Sequence, residues 1–220
     1  MDPLTLPFDT DSMLEGLRAW VECESPTWDA VAVQHMLHLA AAELAAMGAE
    51  VRLLPGSMGF AGCVHARLPH HDSGPGILVL GHLDTVHPVG TLEALPFRRD
   101  GGKAYGPGIQ DMKGGVYIAF EALRQLARAG IASALPVTVL LTPDEEVGSP
   151  STRALIEAEA ARQKLVLVPE PAQSDGGITT GRYAIARFNL RATGRPSHAG
   201  ARLSEGRSAI SEMAKQVLAN

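Results

Sequence analysis

ILVLGHLDTVHP, residues 77–88, opens with four apolar residues and then turns at once to glycine, histidine and aspartate. A run so short, with no polar residue inside it, reads as a strand buried on both faces rather than as a helix. The same design recurs twice downstream. VTVLLTPDEEVGS (137–149) ends its apolar run Val137–Leu141 on three acids, and LVLVPEP (165–171) ends Leu165–Val168 on Glu170. Between the first two runs, Val116, Phe120, Leu123 and Ala127 fall at helical spacing and Gly130 closes the pattern. Ser151 to Arg162 is a second helix between the last two. Strands alternating with helices predict an α/β sheet with helices on both faces.

Working outward, Leu14, Leu17 and Val21 predict a helix over Ser12–Glu22, which Pro26 stops. A longer helix follows Asp29, with Val33, Met36, Leu37, Ala40, Leu44 and Met47 on one stripe and Gly48 at its end. Short strands are expected at Val51–Leu54 and Cys63–Leu68. Toward the other end the pattern changes. Ala184, Ala186, Phe188, Leu190 and Ala192 alternate with Ile185, Arg187, Asn189 and Arg191, the signature of a half-exposed antiparallel strand. Ile210, Met213, Val217 and Leu218 then mark an amphipathic helix. This predicts a first domain over 1–182 and the beginning of a second, smaller α+β domain over 183–220.

With 45% hydrophobic and 20% charged residues the chain has the composition of a globular protein. A net charge of -5 argues against nucleic acid or an anionic membrane as partner, since both favour a basic face. No apolar run approaches the ~20 residues of a membrane span. Met1 to Thr10 lacks the basic and apolar regions of a secretory signal, so a cytoplasmic location is expected. Cys23 and Cys63 read as small core residues in a reducing compartment, and nothing near either supports a thiolate metal site.

Ligands in open α/β sheets bind beyond the carboxyl ends of strands. His82, Asp84, Glu145, Glu146 and Glu170 all follow such ends, and Asp111 lies in the glycine-rich turn 106–115 just before a helix. Each has a bland reading alone: a structural histidine, a helix N-cap at Asp111, a solvated acidic turn, a surface loop. Their coincidence in one chain favours a metal site. Several carboxylates in a small space repel one another unless divalent cations lie between them. One histidine with carboxylates and no thiolate suits zinc and tolerates cobalt or manganese.

At these residues the chain resembles the zinc exopeptidase superfamily of glutamate carboxypeptidase, aminoacylase, acetylornithine deacetylase and succinyl-diaminopimelate desuccinylase, most of all its bacterial glutamate carboxypeptidase branch. The resemblance is most specific at GHLDTVHP (81–88), AYGPGIQDMKGG (104–115), TPDEEVGS (142–149), VPEPA (168–172) and GRPSHAG (194–200). It implies two zinc ions, with His82 and Glu170 on one, Glu146 on the other and Asp111 bridging both. It further implies that Glu145 is the general base, that Asp84 fixes the tautomer of His82, and that the Asp111–Met112 peptide bond is cis. His198 would bind the substrate carbonyl from a lid domain that also forms a homodimer. The implied reaction releases a C-terminal amino acid from a small peptide, with deacylation of N-acyl amino acids as the alternative. The family's last zinc-binding histidine, its substrate-gripping arginine and the later lid strands match nothing before Asn220. The chain is thus expected to be truncated relative to the family, either lacking part of an active enzyme or being a non-catalytic metal-binding remnant.

Overall fold

Burial with a period of two along three strands builds the sheet. In the computed structural model, which describes residues 5–172, 175–181, 183 and 188–219, Val64 and Ala66, Val79, and Val137, Val139 and Leu141 enter one core. Cys63, Leu78 and Leu140 enter a second core on the opposite face. These residues lie on β2 (Cys63–Arg67), β3 (Ile77–His82) and β6 (Val137–Thr142). With β1 (Glu50–Leu54) and β7 (Leu165–Leu167) they form a sheet of order β1-β2-β6-β3-β7. The β3, β6 and β7 strands run parallel, while β1 and β2 are antiparallel additions at one side. The sheet is therefore mixed.

The first core is closed by helices α1 (Thr10–Glu22), α2 (Ala30–Ala46) and α4 (Gly114–Arg128). The second is closed by α5 (Arg153–Ala160), through Leu155, Ile156 and Ala160. Helices thus cover both faces, as the strand–helix alternation predicts. The predicted α2 stripe is buried at Val33, Met36, Leu37, Ala40 and Leu44, and Gly48 follows the helix at φ +84°. The first helix starts two residues earlier than expected, because the Asp9 carboxylate accepts from the Ser12 N–H at 2.7 Å and caps it. Between β3 and α4 lie a short helix α3 (Thr91–Ala94) and a hairpin of β4 (Arg98–Asp100) and β5 (Lys103–Tyr105). The two-residue turn at Gly101-Gly102 has positive φ at both positions, the geometry favoured in tight hairpins.

One expectation fails. Leu165–Val168 resembles the other apolar runs, yet β7 is exposed along its whole length. It pairs with β3 on one side only, so it is an edge strand among the described residues. Apolar composition reports a strand's tendency to be covered, not whether this chain supplies the cover.

The chain divides into two compact units, Met1–Gln173 and Ser174–Asn220. In the second, Arg195 and Arg207 form an isolated antiparallel bridge, and α6 (Ala209–Ala219) carries the predicted amphipathic pattern without a buried residue. Of the expected strand at 184–192, residues 184–187 lie outside the described residues, and Phe188–Ala192 form none.

Candidate metal centre

His82 is the last residue of β3, which lies between β6 and β7 with all three carboxyl ends on one edge of the sheet. The register aligns the acids with it. Thr142 is level with His82 and Leu167 is level with Val79, so Glu170 comes level with His82 and the acidic turn follows just beyond. The imidazole is 1% exposed. Its Nδ1 faces Asp84, 3.0 Å from the main-chain oxygen and 3.3 Å from Oδ1. That contact favours a proton on Nδ1 and leaves Nε2 as the nitrogen that faces the acids.

Asp84 is fully buried and organises more than the histidine. Its Oδ1 accepts from the Glu145 N–H at 3.2 Å, and its Oδ2 accepts from the Glu146 N–H at 3.3 Å and the Thr27 hydroxyl at 2.8 Å. One carboxylate therefore ties β3 to the acidic turn after β6. Asp144, also fully buried, braces that turn from behind by accepting from the Ser151 N–H and the Ser151 and Thr152 hydroxyls.

Asp111 arrives on a non-helical turn, Ile109–Lys113, whose Asp111–Met112 bond is cis. Gly108, at φ +70°, admits the turn because a Cβ there would meet Thr85 Cγ2 at 2.6 Å. Lys113, 1% exposed, anchors the far end by donating from Nζ to the carbonyls of Trp20 at 3.0 Å and Cys23 at 2.8 Å. Those carbonyls end α1, where a cation is favoured by the helix dipole. Asp111 caps no helix: α4 begins after Lys113 without a side-chain cap.

Around His82 Nε2 stand Asp111 Oδ1 at 3.1 Å, Glu170 Oε1 at 3.6 Å and Glu145 Oε2 at 3.8 Å. Two overlapping groups, His82–Glu145–Glu170 and His82–Asp111–Glu146, each bring their donor atoms within 4.8 Å of one another. The acids strain electrostatically against this crowding. Burial raises the Glu145 carboxyl above its ordinary range, and Glu170, Asp111 and Asp84 push it further up against the pull of His82. Burial and then Asp111 raise Glu146 in the same way. Burial opposes charge on His82, but the carboxylates of Asp84, Glu170 and Glu145 outweigh it and push the imidazole up to about 11. A site that raises carboxyls and holds a proton on a buried imidazole has a deficit of positive charge, which a divalent cation would fill.

The structure thus brings His82, Asp84, Asp111, Glu145, Glu146 and Glu170 together from four segments. His198 belongs to the second unit, where its Nδ1 accepts from the Gly200 N–H at 3.2 Å. His87, close in sequence, joins neither donor group. Three supporting residues escape sequence reading. Thr27 and Asp144 look like ordinary turn residues, and Lys113 looks like a solvated lysine.

A family model, that of Peptidase family M20/M25/M40, matches residues 78–219 and so spans His82, Asp84, Asp111, Glu145, Glu146, Glu170 and His198. The chain belongs to that family. Carboxypeptidase G2 of Pseudomonas sp. (strain RS-16) is 40% identical over 146 residues, 66% of this chain and 35% of that protein. Succinyl-diaminopimelate desuccinylase of Xanthomonas oryzae pv. oryzae is 40% identical over 110 residues, 43% of this chain and 29% of that protein. The M20 chain described here therefore spans about a third of the length of these curated relatives. Among solved structures, a tripeptidase from Staphylococcus aureus subsp. aureus superposes with a TM-score of 0.68 at 18% identity, over 95% of this chain and 56% of that one. That likeness is one of fold.

Proposed function

We propose that the whole protein is a metal-dependent hydrolase of amide bonds, of the carboxypeptidase type, that releases a C-terminal amino acid from a small peptide. The observation that carries this reading is the meeting of four carboxylates with one imidazole at the carboxyl ends of parallel strands. The donor set, one nitrogen and hard oxygens without a thiolate, fits zinc and accepts cobalt or manganese. His82 and Glu170 would hold one ion and Glu146 a second, with Asp111 between them. Bound there, zinc supplies a Lewis acid beside the scissile carbonyl and makes water acidic at neutral pH. Glu145, half exposed at the mouth of the cluster, takes a proton from the attacking water and delivers it to the departing amide nitrogen. The water oxygen bonds to the carbonyl carbon, the C–N bond breaks, and the products are a free carboxylate and an amine. Asp84 acts at one remove, holding His82 and the Glu145–Glu146 main chain in register.

We assign residues 183–220 to the start of a lid that also forms a homodimer, with His198 contacting the substrate carbonyl; the GRPSHAG motif supports this. The free thiols of Cys23 and Cys63 favour a reducing cytoplasm. The identity to a desuccinylase favours a second reading, deacylation of N-acyl amino acids. The test is Glu145→Gln in the whole protein, assayed against C-terminal glutamyl peptides and N-acyl amino acids. A fall in kcat of about a hundredfold or more with metal content unchanged is expected. Loss of the metal instead would make Glu145 a ligand, and hydrolysis of neither substrate class by wild type would sink the reading.

A further inference from the structure

The three segments that carry His82, Asp111 and Glu170 are gauged against a single turn. The first turn of α4 follows the Asp111 turn and packs against both neighbouring strand ends. On one side a Cβ on Gly81, the residue before His82, would meet Val116 Cγ2 at 2.7 Å and Met112 Cε at 3.5 Å. On the other side a Cβ on Gly115 would lie 1.7 Å from the main-chain oxygen of Pro169 and 2.8 Å from its carbonyl carbon. The two contacts differ in kind. Val116 and Met112 meet it with side-chain atoms, whereas the Pro169 carbonyl belongs to the main chain immediately before Glu170. The φ of Gly115 is not positive, so the backbone conformation itself does not require glycine there. What requires it is the closeness of the Pro169 carbonyl.

We infer that Gly115 is a positioning residue for Glu170: the missing side chain lets the Pro169 carbonyl rest on α4, and this seats the Glu170 carboxylate beside His82. An alanine there must drive the carbonyl outward by more than an ångström, and Glu170, one residue on, moves with it. Glu170 Oε1 is 3.6 Å from His82 Nε2, so a shift of that size takes the carboxylate out of reach of a shared cation. Glu146 sits on another segment, and the Asp111 turn is anchored to the end of α1 through Lys113.

The inference rests on the metal-site reading above, and the experiment separates the two. Cobalt(II) is titrated into the metal-free whole protein for wild type, Gly115→Ala, Glu170→Ala and the double variant, following the visible d–d absorption. Wild type that takes up no cobalt refutes the metal reading itself. With wild type binding, Gly115→Ala should weaken uptake ten- to a hundredfold and alter the spectrum. Glu170→Ala should be no further weakened by adding Gly115→Ala, since the glycine acts through that carboxylate. A Gly115→Ala protein with wild-type affinity and spectrum, or full additivity in the double variant, overturns the inference. Pro169→Ala covers the case in which Gly115→Ala does not fold, because it keeps the carbonyl that meets Gly115 and removes the ring. It should bind cobalt within about twofold of wild type; a tenfold loss would mean that proline stiffness, not the contact with Gly115, seats Glu170.

Discussion

Replacing Asp84 by asparagine keeps its size and removes one acceptor, and the structure says which contact is lost. The carboxylate is fully buried. Its Oδ1 serves His82 Nδ1 and the Glu145 N–H, while Oδ2 serves the Glu146 N–H and the Thr27 hydroxyl. An asparagine oxygen placed at the Oδ1 position keeps the first pair. Its amide NH2 then faces Thr27, whose hydroxyl can rotate to accept, and the Glu146 N–H, which cannot. Placing the NH2 at the other position is worse, because it would oppose two fixed donors. The better rotamer therefore loses a charge-assisted hydrogen bond and leaves one donor facing another, a cost of about 2–4 kcal/mol. The Glu146 main chain is what comes loose, so zinc affinity should fall ten- to a hundredfold with it. Urea unfolding of the metal-free whole protein measures the first effect and calorimetric zinc titration the second. A variant within about 0.5 kcal/mol of wild type and with unchanged zinc affinity would show that Asp84 does not hold the acidic turn.

Three further outcomes test the frame around the site. Trp20 is fully buried, meets Tyr117 and Phe120 edge-on at 5.3 and 5.0 Å, and donates to Glu43 at 2.6 Å. Trp20→Ala should cost about 3–5 kcal/mol in chemical unfolding, and a loss below 1 kcal/mol would mean that α1 contributes little to the core. The Cys63 thiol is pushed up to about 12 by burial and by the Asp144 carboxylate, from 9.0 when free. Its contribution to stability is complete below pH 9 and is lost as the pH climbs from 9 toward 12, because only the unfolded chain releases the proton there. Wild type should thus lose up to about 1.4 kcal/mol per pH unit relative to Cys63→Ala across that window; parallel pH profiles would contradict the assignment. At neutral pH the native thiol should also resist aromatic disulfide reagents until the protein is unfolded.

The parallel centre of the sheet and its acidic rim were legible in the sequence because two local signals coincide there. Apolar runs of four or five residues mark the strands, and the histidine or acids that follow each run mark where the chain leaves the core. Leu165–Val168 shows the limit of that signal: the run is apolar, but coverage depends on a neighbour that composition does not name. The hairpin at 98–105 was missed because Phe97-Arg98-Arg99 and Lys103-Ala104-Tyr105 are too polar to stand out, although Asp100-Gly101-Gly102 between them is a turn signal. Asp84 is visible as a motif residue, yet its grip on two main-chain N–H groups 61 and 62 residues away is a property of the folded turn alone. Lys113 is the clearest failure of residue type as a guide. A lysine in a glycine-rich segment suggests solvent, and here it is buried against the end of α1.

The level pairing of β7 with β3 has a consequence for how this protein can vary over time. Side chains on a strand point alternately to opposite faces, so gaining or losing one residue between Val79 and His82 would reverse the direction of the imidazole, and a change between Leu167 and Glu170 would carry that acid out of level with it. The connections at the other end of the sheet, 68–76 and 129–136, carry no such constraint and end in prolines and glycines. Insertions and deletions in descendants of this sequence should therefore collect at the amino ends of the parallel strands, while the spacing from strand to acid stays fixed even where the residues between are replaced.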